Sequence, residues 1–180
     1  TVTMRPYVHL QGAGQGVTLI TSTVSNDVSV LGRATLILTG HVSLRDVSVT
    51  AVGAGLSSAA IFAGEGATQT QVMDVTATGQ SASQNNYAVY VRGEGTHVVF
   101  QDVVAVSEGS SQMNTGLGIA SGATAQLRGG IYSASGGEQS WGIDHDGTML
   151  DAWGIMAVGQ NAAYHNTGLH SLGPALLRDS

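Results

Sequence analysis

An all-β fold, a right-handed single-stranded parallel β-helix of about six coils, is predicted for this chain by three observations. The first is a strand-turn unit that recurs at a nearly fixed interval: Arg45-Asp46-Val47-Ser48-Val49, Met73-Asp74-Val75-Thr76-Ala77 and Gln101-Asp102-Val103-Val104-Ala105. The steps Val47→Val75→Val103→Ile131 are 28 residues each, and a shorter one of 24 reaches Ile155. The second is a parallel series, Ile61, Val89, Leu117, Ile143 and Leu169, spaced by 28, 28, 26 and 26 residues. Steps of this size with so little variation mark stacked supersecondary units. The third is composition: 26 glycines, two prolines and no cysteine in 180 residues, with Ser, Thr, Val and Ala dominant, describe a strand-and-turn chain.

Residues 1–40 are expected to form an N-terminal coil or cap. Strands are predicted at Val2–Met4, Tyr7–Leu10 and Val17–Ile20, separated by the turn Gln11-Gly12-Ala13-Gly14-Gln15-Gly16. That glycine run does not open a helix, so it is read as a turn and not as a phosphate cradle. Further strands follow at Val28–Leu31 and Ala34–Leu38. The regular coils occupy 41–157, and residues 158–180 form a C-terminal coil or cap in which Pro174, lacking an N–H, helps to stop the ladder. The whole is one domain.

Within the regular coils a short apolar strand (Ala60-Ile61-Phe62, Ala88-Val89-Tyr90, Gly116-Leu117-Gly118, Gly142-Ile143-Asp144, Gly168-Leu169-His170) runs into a glycine turn ending in Thr68, Thr96, Thr124 or Thr148. A second strand carries the Asp-Val or Gly-Ile step. Polar loops at 78–86, 107–115, 133–140 and 159–167 close the coils, and stacking gathers them onto one edge.

The formal charge is −6, and the six cations are single arginines at 5, 33, 45, 92, 128 and 178. Without a basic patch, neither nucleic acid nor an anionic membrane surface is an expected partner. No apolar run is long enough for a membrane span, and no basic-then-apolar leader is present. The chain opens abruptly within the strand-like sequence Thr1-Val2-Thr3-Met4, as it would if residues upstream had been removed.

Two further stretches are Asn85-Asn86-Tyr87-Ala88-Val89-Tyr90 after Asp74–Gly79, and Ser133–Gly137 before Trp141-Gly142-Ile143. Together with Met4–Gly14 they resemble the repeats of secreted bacterial right-handed β-helix proteins of the pectate-lyase-like superfamily, over most of the chain. The resemblance implies the fold and an extracellular or cell-surface location. It does not bring a catalytic motif: galacturonases need paired acids to protonate a leaving oxygen and activate water, and no two acidic residues are adjacent here. Gly142-Ile143-Asp144-His145-Asp146 is superficially similar to the Trp-Ile-Asp-His run of pectate lyases. Aligning Thr148 with Thr124 instead places Asp144–Gly147 in a turn, where Asp and Gly are favoured.

No catalytic residue is therefore assigned. Candidate ligand contacts are Asn85, Asn86, Gln112 and Asn114 in the polar loops, Asp144, His145 and Asp146 at the turn variant, and Trp141 and Tyr164 among the aromatics near the C-terminal end. Phe62, Tyr90 and Tyr132 occupy strand positions compatible with interior packing or a surface ladder. No cofactor is required. Asp46, Asp74 and Asp102 form a column of carboxylates about 5 Å apart that is read either as turn residues or as a weak Ca²⁺ site.

The function expected is that of a non-catalytic extracellular module, structural or recognising a polysaccharide or a protein neighbour through its stacked loops. A β-helix polysaccharide lyase or hydrolase, and a phage or filament subunit that forms a homo-oligomer or larger assembly, are the alternatives.

Overall fold

The computed structural model describes residues 1–24 and 34–178. Among these no residue is helical, and eighteen strands wind into a parallel β-solenoid of about five regular coils. An interrupted first coil holds β1 (Val2–Thr3), β2 (His9–Gln11) and β3 (Leu19–Val24). Next come β4 (Leu36–Leu38) with β5 (Ser43–Gly53), then β6 (Ser57–Ala63) with β7 (Thr70–Gln80). Three coils of three strands follow: β8 (Asn85–Arg92), β9 (His97–Gln101) and β10 (Val104–Glu108); β11 (Met113–Ala120), β12 (Thr124–Arg128) and β13 (Ile131–Ser135); β14 (Gln139–Asp146), β15 (Met149–Trp153) and β16 (Met156–Gln160). Strands β17 (His165–Ser171) and β18 (Ala175–Arg178) begin another. The strand expected at Val28–Leu31 lies outside the described residues.

Strands β1, β4, β6, β8, β11, β14 and β17 stack in parallel as one sheet, and the remaining eleven form a second sheet that turns a corner. The corner explains the Asp column. Asp46, Asp74 and Asp102 all have positive φ (58°, 50° and 51°), and the same corner one and two coils later is made by Gly129 (66°) and Gly154 (63°). Asp tolerates the left-handed region because its short side chain can bond locally, and glycine has no Cβ to clash. The repeat that reveals the fold in the sequence is thus a backbone bend.

Inside, equivalent residues stack into columns. Leu44, Val72, Phe100, Leu127 and Ala152 form one, and Ile61, Val89, Leu117, Ile143 and Leu169 another. Bulky and small residues alternate where space demands it: fully buried Tyr132 lies between Ala105 and Ala157 in its column. Such complementarity keeps the interior at the density of a crystal.

The first sheet contains a stacked irregularity. Ala60, Ala88, Gly116, Gly142 and Gly168 drop out of the pairing register in every coil. A Cβ on Gly142 would stand 2.5 Å from the Val158 nitrogen and 2.7 Å from the Tyr132 carbonyl oxygen, so backbone from the opposite sheet fills this space. Consequently the in-out alternation shifts by one residue there. Ile143 and His145 face inward, while Trp141, Asp144 and Asp146 face outward.

Candidate functional site: the outer face of the first sheet

On the outer face of the first sheet the pairing register assembles two adjacent rows that run along the solenoid axis. One row is Ala59, Tyr87, Thr115, Trp141 and Thr167; the other is Ile37, Phe62, Tyr90, Gly118, Asp144 and His170. Both rows concentrate rings. Phe62 stacks on Tyr90 with centroids 6.1 Å apart, Tyr87 tilts against Tyr90 at 4.8 Å, and Trp141 stacks on His170 at 5.0 Å. Gly118 leaves room for this arrangement, since a Cβ there would meet the Tyr90 ring at 2.7 Å.

Polar groups edge the rings. His170 Nδ1 lies 2.8 Å from Asp144 Oδ1, with both side chains partly exposed. Burial raises the Asp144 carboxyl above its ordinary range, with the His170 hydrogen bond opposing. Burial likewise raises the Tyr90 hydroxyl; the Arg92 guanidinium beside it acts in the opposite direction, and the Asp144 charge adds to the rise. The Tyr87 hydroxyl is raised by burial first, then by Tyr90 and Asp144. Beyond Phe62 a cleft of about 350 Å³ is lined by Phe62, Gly64, Glu65 and Arg92. Apolar rings edged by a few convergent polar groups form the usual composition of a small-molecule site.

The residues singled out from the sequence divide between this face, the loop edge and the interior. Trp141, Asp144 and Asp146 lie on the face, and Asn85 sits at its margin, donating to Ser57 Oγ at 3.3 Å. Asp144–Asp146 are strand residues, paired with Gly118–Ala120, which corrects their expected placement in a turn. Aligning on the threonines caused the error. The 26-residue step from Leu117 to Ile143, also visible in the sequence, brings Asp144 level with Tyr90.

His145 is a second correction, because it is fully buried and faces the core. Its Nδ1 is 2.9 Å from Ser171 Oγ, its Nε2 has no partner, and burial lowers its proton affinity.

Asn86 and Asn114 are corrected in the same way. They are fully buried members of an internal ladder with Ser58 and Ser140. Asn86 Oδ1 accepts from Ala82 N at 3.0 Å and Ser58 Oγ at 2.7 Å, and its Nδ2 donates to the Glu108 carbonyl at 2.7 Å. Asn114 repeats the pattern with Ser110 N at 3.2 Å and the Gly136 carbonyl at 3.1 Å. Both side chains close the corner and are unavailable to a ligand.

Gln112 and Tyr164 remain exposed at the loop edge, Tyr164 by 73%. The polar loops do stack there, through Ser83 N to Gly55 O, Ser111 N to Ser83 O and Glu138 N to Ser111 O at 3.0–3.2 Å. They are shorter than the sequence grouping implied, because their asparagines belong to strands.

Tyr132 points inward, whereas Phe62 and Tyr90 point outward. Tyr87, His170 and Arg92 join the face without having been singled out; their signal was the same 28- and 26-residue register. Asp46 accepts from Gln11 Nε2 at 3.1 Å and pairs with Arg45 Nε at 3.0 Å. Among the described residues no three His, Asp or Glu converge on a common metal position.

Comparison of the chain with protein-family models, with characterised proteins and with solved structures returns no match. The class that fold and site define is therefore a parallel β-solenoid with an aromatic and acidic sheet face.

Proposed function

We propose that this protein is a non-catalytic, extracellular or cell-surface recognition module that binds glycans on the outer face of its first sheet. The observation that carries the reading is the set of partly exposed rings Phe62, Tyr90 and Trp141 on two rows of a rigid sheet, backed by the buried ring of Tyr87 and edged by Asp144, Asp146, Arg92 and His170. Aromatic rings offer flat apolar area to the C–H face of a pyranose, while carboxylate, guanidinium and imidazole groups take its hydroxyls. The scaffold is preorganised, because every strand of the face is paired on both sides from β4 to β14. Ordering costs on binding are correspondingly small. The secreted setting rests on the motif resemblance. A glycan array followed by calorimetry tests the reading: binding that is lost in Trp141→Ala and Tyr90→Ala supports it, and an array without a hit contradicts it.

Hydrolysis is a second reading favoured by one observation. Asp144 and Asp146 leave the same strand face two residues apart, about 6.6 Å along the strand, and burial keeps a proton on Asp144 above its ordinary range. An acid and a neighbouring base are the minimum for glycoside cleavage. New reducing ends released from a bound polysaccharide, and lost in both Asp144→Asn and Asp146→Asn, would establish this reading over the non-catalytic one.

A further inference from the structure

We propose that the ligand of this face is a linear oligosaccharide containing free amino sugars, laid parallel to the solenoid axis. The inference rests on the glycan reading above and specifies its substrate class and direction. Three observations carry it.

The first is geometric. The rings do not surround one pocket but follow the axis, from Phe62 in β6 through Tyr90 in β8 to Trp141 in β14. Those strands span three coil steps, about 14 Å at the spacing of paired strands. One pyranose unit is about as long as one coil is high, so successive sugars meet successive coils. A ligand lying along the strands would meet only one ring-bearing coil.

The second is charge. Asp144 and Asp146 project from the same side of β14, and Glu65 lines the cleft at the other end of the rows. Arg92 is the one arginine on this face among the described residues, and it is engaged beside Tyr90. A uronate polymer would bring carboxylates to this acidic surface and be repelled. An ammonium group placed at Asp146, beside Asp144 with its His170 partner, is instead attracted, with the desolvation by neighbouring rings strengthening the pair.

The third is an unpaired hydroxyl. Thr115 Oγ1 is buried without a hydrogen-bond partner, and Thr115 occupies the outward row between Tyr87 and Trp141. Buried polar groups are normally satisfied, and this hydroxyl lies enclosed within the row, so a ligand reaches it only if the flanking rings move. A sugar hydroxyl or amino group that displaces the flanking rings slightly supplies the missing partner.

Calorimetry with three defined hexamers separates the possibilities: a β-1,4-glucosamine hexamer, its fully N-acetylated counterpart and a galacturonate hexamer. The expected order places the glucosamine hexamer at least about tenfold tighter than the acetylated one, with the galacturonate silent and a glucosamine dimer much weaker than the hexamer. Asp146→Asn should abolish the preference for the free amine, so that the glucosamine and acetylated hexamers bind alike. Phe62→Ala should weaken the hexamer and leave the dimer unaffected if the dimer sits at Trp141. Equal or tighter binding of the acetylated or galacturonate hexamer overturns the amino-sugar assignment but keeps the glycan reading. Equal affinity of dimer and hexamer overturns the axial placement. Absence of binding to all three hexamers, with a folded protein by circular dichroism, overturns the amino-sugar assignment, while the glycan reading falls only if the array is silent as well.

Discussion

Single residues show which sequence signals belong to the backbone and which to chemistry. The Asp at each corner is there for its positive φ, so Asp102→Gly is expected to leave stability nearly unchanged, whereas Asp102→Val costs about 1–2 kcal/mol for a left-handed β-branched residue. Urea melts of the two variants measure the contrast; equal losses would show that the carboxylate itself matters.

Tyr132 offers the opposite case. It is fully buried with no partner for its hydroxyl, and burial strongly disfavours the phenolate. Tyr132→Phe removes an unsatisfied polar group and keeps the ring between Ala105 and Ala157, so a gain of about 1 kcal/mol is expected in the same melts.

His145 makes stability pH-dependent. Its folded proton affinity lies below the ordinary value of 6.5, so as pH falls beneath 6.5 the unfolded chain binds a proton that the native state refuses, and stability declines. Asp144 acts in the reverse sense at lower pH. Its folded affinity lies above 3.8, so the native state takes up its proton first as pH falls, and stability is partly recovered in that range. Melting temperatures measured between about pH 7.5 and 5 should fall less in His145→Leu than in the parent. Ser171 Oγ retains its bond to the Gly173 carbonyl at 2.9 Å in that variant.

Among the elements, the internal Asn ladder holds successive coils in register on the edge where the polar loops stack. Asn86 ties three coils together: Ser58 Oγ in the coil before, Ala82 N and the Glu108 carbonyl at the two ends of its own coil, and Asn114 Oδ1 at 3.3 Å in the coil after. Asn86→Ala would orphan the buried amide and carbonyl at about 1–3 kcal/mol each. Thermal unfolding of this variant should show one of the larger losses outside the apolar columns. A loss below about 0.5 kcal/mol, the level of ordinary surface changes, would mean that water or neighbouring groups replace the ladder.

The two sheets differ in what they expose. The corner sheet places Trp153 against the Arg128 guanidinium, 4.8 Å from the ring centroid, while the first sheet keeps Phe62, Tyr90 and Trp141 partly exposed.

For the whole molecule, the solenoid was legible because its corner column repeats every 28 residues from Asp46 to Asp102 with a chemically restricted residue type; beyond that the corner steps shorten to 27 and 25 at Gly129 and Gly154, and Ile131 pairs with Val104, not with the expected Val103. Interior columns such as Ile61, Val89, Leu117 and Ile143 could be read off steps of 28, 28 and 26 residues. The candidate site was only partly legible. Trp141, Asp144 and Asp146 stood out by residue type, yet their shared face depends on the one-residue shift at Gly142, a backbone contact across the interior that no local pattern announces. Asn86 and Asn114 were misplaced for a related reason: polar residues are ordinarily read as surface, and only the stacking of coils supplies the buried partners that allow them inside. The loop edge remains a stacked polar surface, but the rings and charges of the first sheet now make the stronger recognition face.

The most direct test of glycan recognition by that face uses the two tryptophans, Trp141 on the first sheet and Trp153 on the second. Fluorescence is followed during a glycan titration of Trp153→Phe, in which Trp141 is the only indole, and of Trp141→Phe, in which only Trp153 reports. Recognition on the first sheet predicts a saturable emission change in Trp153→Phe and none in Trp141→Phe. A glycan that binds with Trp141 silent, or with the signal confined to Trp153, would contradict it.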